Sequence, residues 1–362
     1  NVVVGIIDSG FTDTLRELQF ERLWGPEGGT DWTLDGDDTH GMHVAGTIAA
    51  IGNNGADATN NTSQVAGIAW QAKPIVHAAK DDNSLGVKLA HIARLARSGA
   101  RVINYSKGPE GRADFTAIAR IEASFLKNFG DYYDFLFILA AGNDFDEATA
   151  RQPLANIFQE DGWGDFERVK ERVLIVASAD TTRATSYLHS GVRHRGQYTD
   201  LTDAIWKENL TTAWCENCGP SNFGVGVQIA APGRSILSLS AESNPELARN
   251  GPPRVQSGTS MANPVVSGVA VAAFSVNIGL SASQVKKLIV DKHGDTLVFN
   301  SEKIPNLFAE KKLYLAKYRH NLVDMDKVVR AAAELSGEIL SSKPPTTTTT
   351  FVDVSCEFKV TD

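Results

Sequence analysis

Six short runs of aliphatic and β-branched residues, separated by segments of helical spacing, constrain this chain more than any other feature. They cover 2–7, 74–79, 101–106, 135–140, 173–177 and 227–231. A run that is apolar at successive positions, not at every second one, belongs to a strand covered on both faces. The intervening segments, such as 87–97 and 112–129, place apolar residues at the spacing of a helix with one buried face. Strands that alternate with helices pair in parallel through helical crossovers. The predicted fold class is therefore α/β, with three layers: a mostly parallel sheet and helices on both faces.

In such a sheet, chemistry collects beyond the carboxyl ends of the strands. The first run ends in Asp8-Ser9-Gly10, the fourth in Ala140-Ala141-Gly142-Asn143. Helical spacing after residue 40 places His40 at the start of a helix and His43 one turn in. One of two histidines so placed is usually a satisfied core residue, and that part is given to His43. The stretch Ser257-Gly258-Thr259-Ser260-Met261-Ala262-Asn263-Pro264 opens a long uncharged run, which predicts a helix buried on nearly all sides. Ser260 falls where this helix begins, with Thr259 or Ser260 as N-cap. Helix N-termini present unpaired N–H groups and positive potential, a setting suited to an acyl-transfer nucleophile whose substrate becomes an oxyanion. Taken singly, each feature also has a plain reading: Asp-Ser-Gly and Gly-Asn as turns, the serine as a helix cap.

Composition excludes some classes. In 362 residues, 42% are hydrophobic and 22% charged, as in ordinary globular proteins. A formal net charge of −8 and the lack of a basic stripe argue against nucleic acid as a partner. No apolar run predicts a membrane span; the segment after Ser260 comes nearest, and its Ser, Asn and Gly fit a protein core better. Three cysteines (Cys215, Cys218, Cys356) do not make a disulfide framework. The chain begins inside its first strand, which reads as the loss of upstream residues, so the N-terminus carries no compartment signal.

Asp8, His40 and Ser260 follow one another in the order Asp…His…Ser, the subtilisin order. The segment around Ser260 is not a G-x-S-x-G elbow, which argues against a lipase or esterase. Ile7-Asp8-Ser9-Gly10, His40-Gly41-Met42-His43-Val44-Ala45-Gly46-Thr47, Ala140-Ala141-Gly142-Asn143 and 257–264 stand in family order. By these segments the chain resembles the subtilisin-like serine proteases over residues 1–337. The resemblance implies catalytic roles for Asp8, His40 and Ser260, with the Asn143 side chain and the Ser260 N–H as oxyanion donors. It implies that Ser106, Lys107 and Gly108 sandwich substrate with 82–85 as an added strand, and that the primary specificity pocket lies between 106–108 and Ala140, Ala141 and Gly142. On this reading Lys107 favours an acidic side chain in the outer non-prime pocket, and Asp144, Asp146 and Glu147 a basic one in the primary pocket. The commoner state of such charges is a solvated rim. Met42 stands where the family usually has Thr, which implies altered packing and not inactivity. The resemblance also implies a peptide or protein substrate, an N-terminal propeptide outside this chain, an extracellular or cell-envelope location, and no cofactor for the chemistry. The alternative is a catalytically silent scaffold that binds peptides or a protein partner.

Residues 181–220 form an insertion relative to the family, expected beside the leaving-group side of the cleft. His189, His194, Cys215 and Cys218 within it could hold structural zinc. A local disulfide or free thiols are the other readings. The Asn- and Gly-rich loop 52–63 matches a family calcium position, and is equally a set of turns. Residues 338–350 read as a Pro/Thr-rich linker, and 351–362 as a β-like tail or the start of a further module.

Overall fold

The computed structural model describes residues 2–11, 18–24, 40–52, 65–78, 84–109, 114–144, 146–179, 221–240, 253–294, 296–298 and 319–335. Seven strands form one parallel sheet: β1 (Val3–Asp8), β2 (Arg22–Trp24), β3 (Lys73–Ala78), β4 (Val102–Tyr105), β5 (Leu136–Ala140), β6 (Val173–Ala179) and β7 (Ile229–Pro232). Their spatial order is β2-β3-β1-β4-β5-β6-β7. From β1 the chain moves outward to β3, then returns to the other side of β1 as β4, so the order reverses beside β1. In open α/β sheets the crevice at such a reversal is where ligands bind.

Helices α1 (His40–Ala49), α5 (Thr259–Val276), α6 (Ala282–Asp291) and α7 (Met325–Leu335) cover one face. Helices α2 (Leu85–Arg97) and α3 (Thr116–Gly130) cover the other, joined by the short α4 (Glu167–Lys170) and the 3₁₀ segment Pro153–Phe158. The period of two along a strand divides the core accordingly. Val4, Ile6, Val76, Val102, Leu136, Ile138, Leu174 and Val176 pack beneath α1 and α5. Ile7, Ile75, Ile103, Phe137, Leu139 and Ile175 pack beneath α2 and α3. This is the three-layer α/β arrangement predicted from the apolar runs. Two small antiparallel ribbons, β8 (Ile236–Ser238) with β9 (Arg254–Gln256) and β10 (Thr296–Val298) with β11 (Arg319–Asn321), were not predicted.

Helix α5 is long and apolar enough to cross a membrane by length and composition. Here it is a core element, with Ala262, Val266, Ala270 and Ala273 wholly buried against the sheet side of the domain.

Candidate active site

The period of two that places Val4 and Ile6 beneath α1 places Asp8 on the same side. Asp8 is wholly buried, and its Oδ1 accepts from the Ser9 N–H at 2.8 Å and lies 2.7 Å from His40 Nδ1. Only a close approach of α1 to the end of β1 allows this. The Gly41 N–H donates to the Ser9 carbonyl at 2.6 Å, and a Cβ at residue 41 would lie 2.2 Å from that oxygen. Glycine is therefore required here so that His40, the first residue of the helix, can reach Asp8. His40 keeps 30% of its side-chain surface open to solvent.

His43 is the core histidine. It is wholly buried, with Nε2 2.9 Å from the Ile236 carbonyl and 3.1 Å from that of Arg254. Burial lowers its pKa to about 4, against the pull of those carbonyls, and nearby His40 lowers it further. Burial likewise holds His77 at about 3, with His91 and Arg94 adding to the effect, and His320 at about 4. All three are neutral in the folded chain near neutrality, while an unfolded histidine takes up its proton near pH 6.5. Stability is thus complete above that value and falls as pH drops towards 4. His43 alone accounts for roughly 3 kcal/mol. Urea midpoints should therefore be much lower at about pH 4.5 than at about pH 7.5; equal midpoints would contradict these environments.

Ser260 occupies the first turn of α5, but the cap differs from the sequence expectation. Gly258 is the N-cap, and neither Thr259 nor Ser260 caps the helix with its own side chain. Asn143 supplies the cap from another element: its Oδ1 accepts from the Thr259 N–H at 2.8 Å and from the Thr259 hydroxyl at 3.0 Å. The Gly142 N–H donates to the same hydroxyl oxygen at 3.1 Å. With its oxygen held, the Asn143 amide turns its NH₂ end away from the cap. The N–H groups of Met261 and Ala262 both donate to the Gly258 carbonyl.

The hydroxyl of Ser260 donates to the Ser106 carbonyl at 3.0 Å. The reverse contact is also made, Ser106 Oγ donating to the Ser260 carbonyl at 3.3 Å. Pro264 explains why that carbonyl is available: it lies four residues on and has no N–H to donate to it. One turn along, Asn263 Nδ2 donates to the carbonyls of Tyr105 and Ile138 and to Ser106 Oγ, tying α5 to the end of β4 and the middle of β5. Asn263 was not singled out from the sequence, since nothing in local spacing marks its partners.

Because β1, β4 and β5 are neighbours in register, Asp8, 106–108 and 140–143 leave the sheet at one end, where α5 begins. Ser106 is buried, Lys107 half-buried and Gly108 exposed; Ala140 and Ala141 are buried and Gly142 half-buried. The acidic rim expected to favour a basic side chain is not free. Arg151 pairs with Asp144 at 3.2 Å and with Asp146 at 3.3 Å, which offsets the negative field assigned to those carboxylates. Among the described residues no group of three or more His, Cys, Asp or Glu could hold a metal. The metal candidates His189, His194, Cys215 and Cys218, and loop residues 53–63, lie outside the described residues, as do 338–362.

The sequence model of the subtilase family matches residues 1–311. The chain belongs to the subtilase family. An extracellular protease of Xanthomonas campestris pv. campestris is 30% identical to this subtilase over 66% of the chain. The match takes in 33% of that relative, so this subtilase spans about a third of its length. Subtilisin DY of Bacillus licheniformis is 26% identical, with 79% of this chain and 81% of subtilisin DY covered. A solved chain of the subtilase cytotoxin SubAB has the same fold, with a TM-score of 0.59 at 20% identity, covering 92% of this chain and 90% of that one.

Proposed function

We propose that this subtilase is a serine endopeptidase that cleaves peptide bonds through Asp8, His40 and Ser260. The observation that carries the proposal is the 2.7 Å Asp8–His40 contact at the strand end where the helix bearing Ser260 starts. With Nδ1–H engaged by Asp8, the imidazole presents Nε2 as its basic nitrogen. A rotation of the Ser260 hydroxyl off the Ser106 carbonyl delivers its proton to that nitrogen as Oγ attacks the substrate carbonyl. The C–N bond of the tetrahedral intermediate then breaks as His40 returns the proton to the leaving amine. Water repeats the sequence on the acyl-enzyme. The developing oxyanion is received by the Asn143 NH₂ and the Ser260 N–H, donors that need no reorganisation at the moment of reaction.

Peptide would add a strand between 106–108 and 82–85, with its primary side chain entering between 106–108 and 140–142. The substrates are polypeptides, and the similarity to the extracellular protease of Xanthomonas supports a site of action outside the cell.

A fluorophosphonate probe tests the proposal against the silent-scaffold alternative. Stoichiometric labelling at Ser260, blocked by prior denaturation, is the expected result. A folded chain that stays unlabelled while still binding peptides would establish the scaffold reading instead.

The oxyanion assignment makes a separate prediction. Asn143→Ala should lower kcat by about 10²–10³, the effect that the equivalent loss has in subtilisin itself, with KM nearly unchanged. Because Asn143 also caps α5, a loss of about 1 kcal/mol in stability should accompany it. A kcat within about threefold of the parent enzyme would remove Asn143 from the oxyanion site.

A further inference from the structure

Asn143 must aim its NH₂ group to within tenths of an ångström to serve an oxyanion. Thr259 holds only its Oδ1. The main chain on either side of it is held by a second asparagine, Asn222, which lies 79 positions away in sequence and is wholly buried. Asn222 uses its whole amide for this. Its Oδ1 accepts from the N–H groups of Asp144 at 2.9 Å and Asp146 at 3.0 Å. Its Nδ2 donates to the Ala141 carbonyl at 2.9 Å and to Asp144 Oδ2 at 3.3 Å. The main chain adds the Asn222 N–H to the Gly142 carbonyl at 2.8 Å and the Phe223 N–H to the Asp146 carbonyl at 3.1 Å. These contacts fall immediately before and immediately after Asn143. The turn between them is closed by Gly142, at a φ of +98°, where a Cβ would stand 2.4 Å from Asn222 Nδ2.

We infer that Asn222 is a positioning residue for the oxyanion donor, acting through the main chain of Ala141, Gly142, Asp144 and Asp146 to set the direction of the Asn143 amide. The inference rests on the oxyanion role proposed above for Asn143. Asn222 touches no reacting atom. Its contribution is pre-organisation, and a displacement of about 1 Å in such a donor can cost up to about 10²-fold in rate.

The test is a double-mutant cycle between residues 143 and 222, read as kcat and KM on one peptide substrate. Asn222→Asp is the primary variant: it is isosteric and keeps acceptors for the Asp144 and Asp146 N–H groups, but loses both donors and sets a charge against Asp144. Asn222→Ala is the second. Each should lower kcat by about 10- to 100-fold, with KM changed by less than about threefold. In the Asn143→Ala background the same substitutions should lower kcat by less than about threefold, because there is no longer an amide to aim. Thermal midpoints recorded on all variants separate fold from aim, since lost stability alone would act equally in both backgrounds. Equal kcat losses in the two backgrounds, or a destabilised Asn222→Asp enzyme with parental kcat, would overturn the inference. If Asn143→Ala by itself leaves kcat unchanged, the oxyanion assignment fails, a result distinct from an additive cycle.

Discussion

Ser260→Ala should lower kcat for peptide hydrolysis by about 10⁶, the size of the loss that removal of the nucleophile alone produces in subtilisin. The expected enzyme is intact in every other respect. Alanine keeps the N–H at residue 260 and leaves Asn143, Asp8 and His40 in place. Substrate should bind as before and KM should move little, leaving a slow hydrolysis above the rate in water from binding and the oxyanion donors. The fold loses one neutral hydrogen bond, from Ser260 Oγ to the Ser106 carbonyl at 3.0 Å, worth about 1 kcal/mol. Labelling by the phosphonate probe should vanish together with turnover, while the thermal midpoint shifts by only a few degrees. Turnover within tenfold of the parent enzyme, on protein free of contaminating protease, would show that another residue does the chemistry.

Asp8→Asn should cost about 10⁴ in kcat, again with little change in KM. Oδ1 of Asp8 serves two donors, the Ser9 N–H and His40 Nδ1, while its buried Oδ2 makes no hydrogen bond among the described residues. An asparagine has two ways to fill that space. With its oxygen in the Oδ1 position it can keep both donors, but the negative charge that stabilises imidazolium in the transition state is gone. Turned over, its NH₂ faces the Ser9 N–H and also forces Nδ1 of His40 to accept, which leaves Nε2 protonated and useless as a base. Either arrangement loses the catalytic function of the pair without changing volume, so the fold should persist. Comparison of Asp8→Asn with Asp8→Ala separates charge from space. A loss smaller than about tenfold for Asp8→Asn would mean that His40 is not the base oriented by Asp8.

The parts of the fold that could be read in advance are those where the cause is local. The six apolar runs became the six central and flanking strands because a strand covered on both faces must be apolar at successive positions. Asp8, His40 and Ser260 were legible because each sits where a regular element starts or stops. The edge strand β2 escaped notice: with one neighbour and three residues, Arg22, Leu23 and Trp24, it carries too short a pattern to recognise. Ribbon β8–β9 was missed for a similar reason, although it supplies both carbonyls that hold His43.

Site details were illegible wherever they depended on a partner remote in the chain. Thr259 looked like a cap and is instead the donor to one, because Asn143 approaches from the end of β5. Asp144 and Asp146 looked like a negative rim, yet Arg151, only a few residues on, folds back to pair with both. The spacing allowed that pairing without requiring it, since the intervening chain could have pointed the guanidinium elsewhere.

By itself, then, the sequence determined the α/β class, the order of the elements and the types of group at the site, through side-chain period and local chemistry. Only the tertiary structure decided which amide caps α5, which carboxylates pair with Arg151 and what holds the loop that bears Asn143. Those contacts join positions as far apart as 116 residues, Asn143 to Thr259. Which of many such pairings forms is settled by strand order and register, and these are properties of the packed sheet and of no single segment.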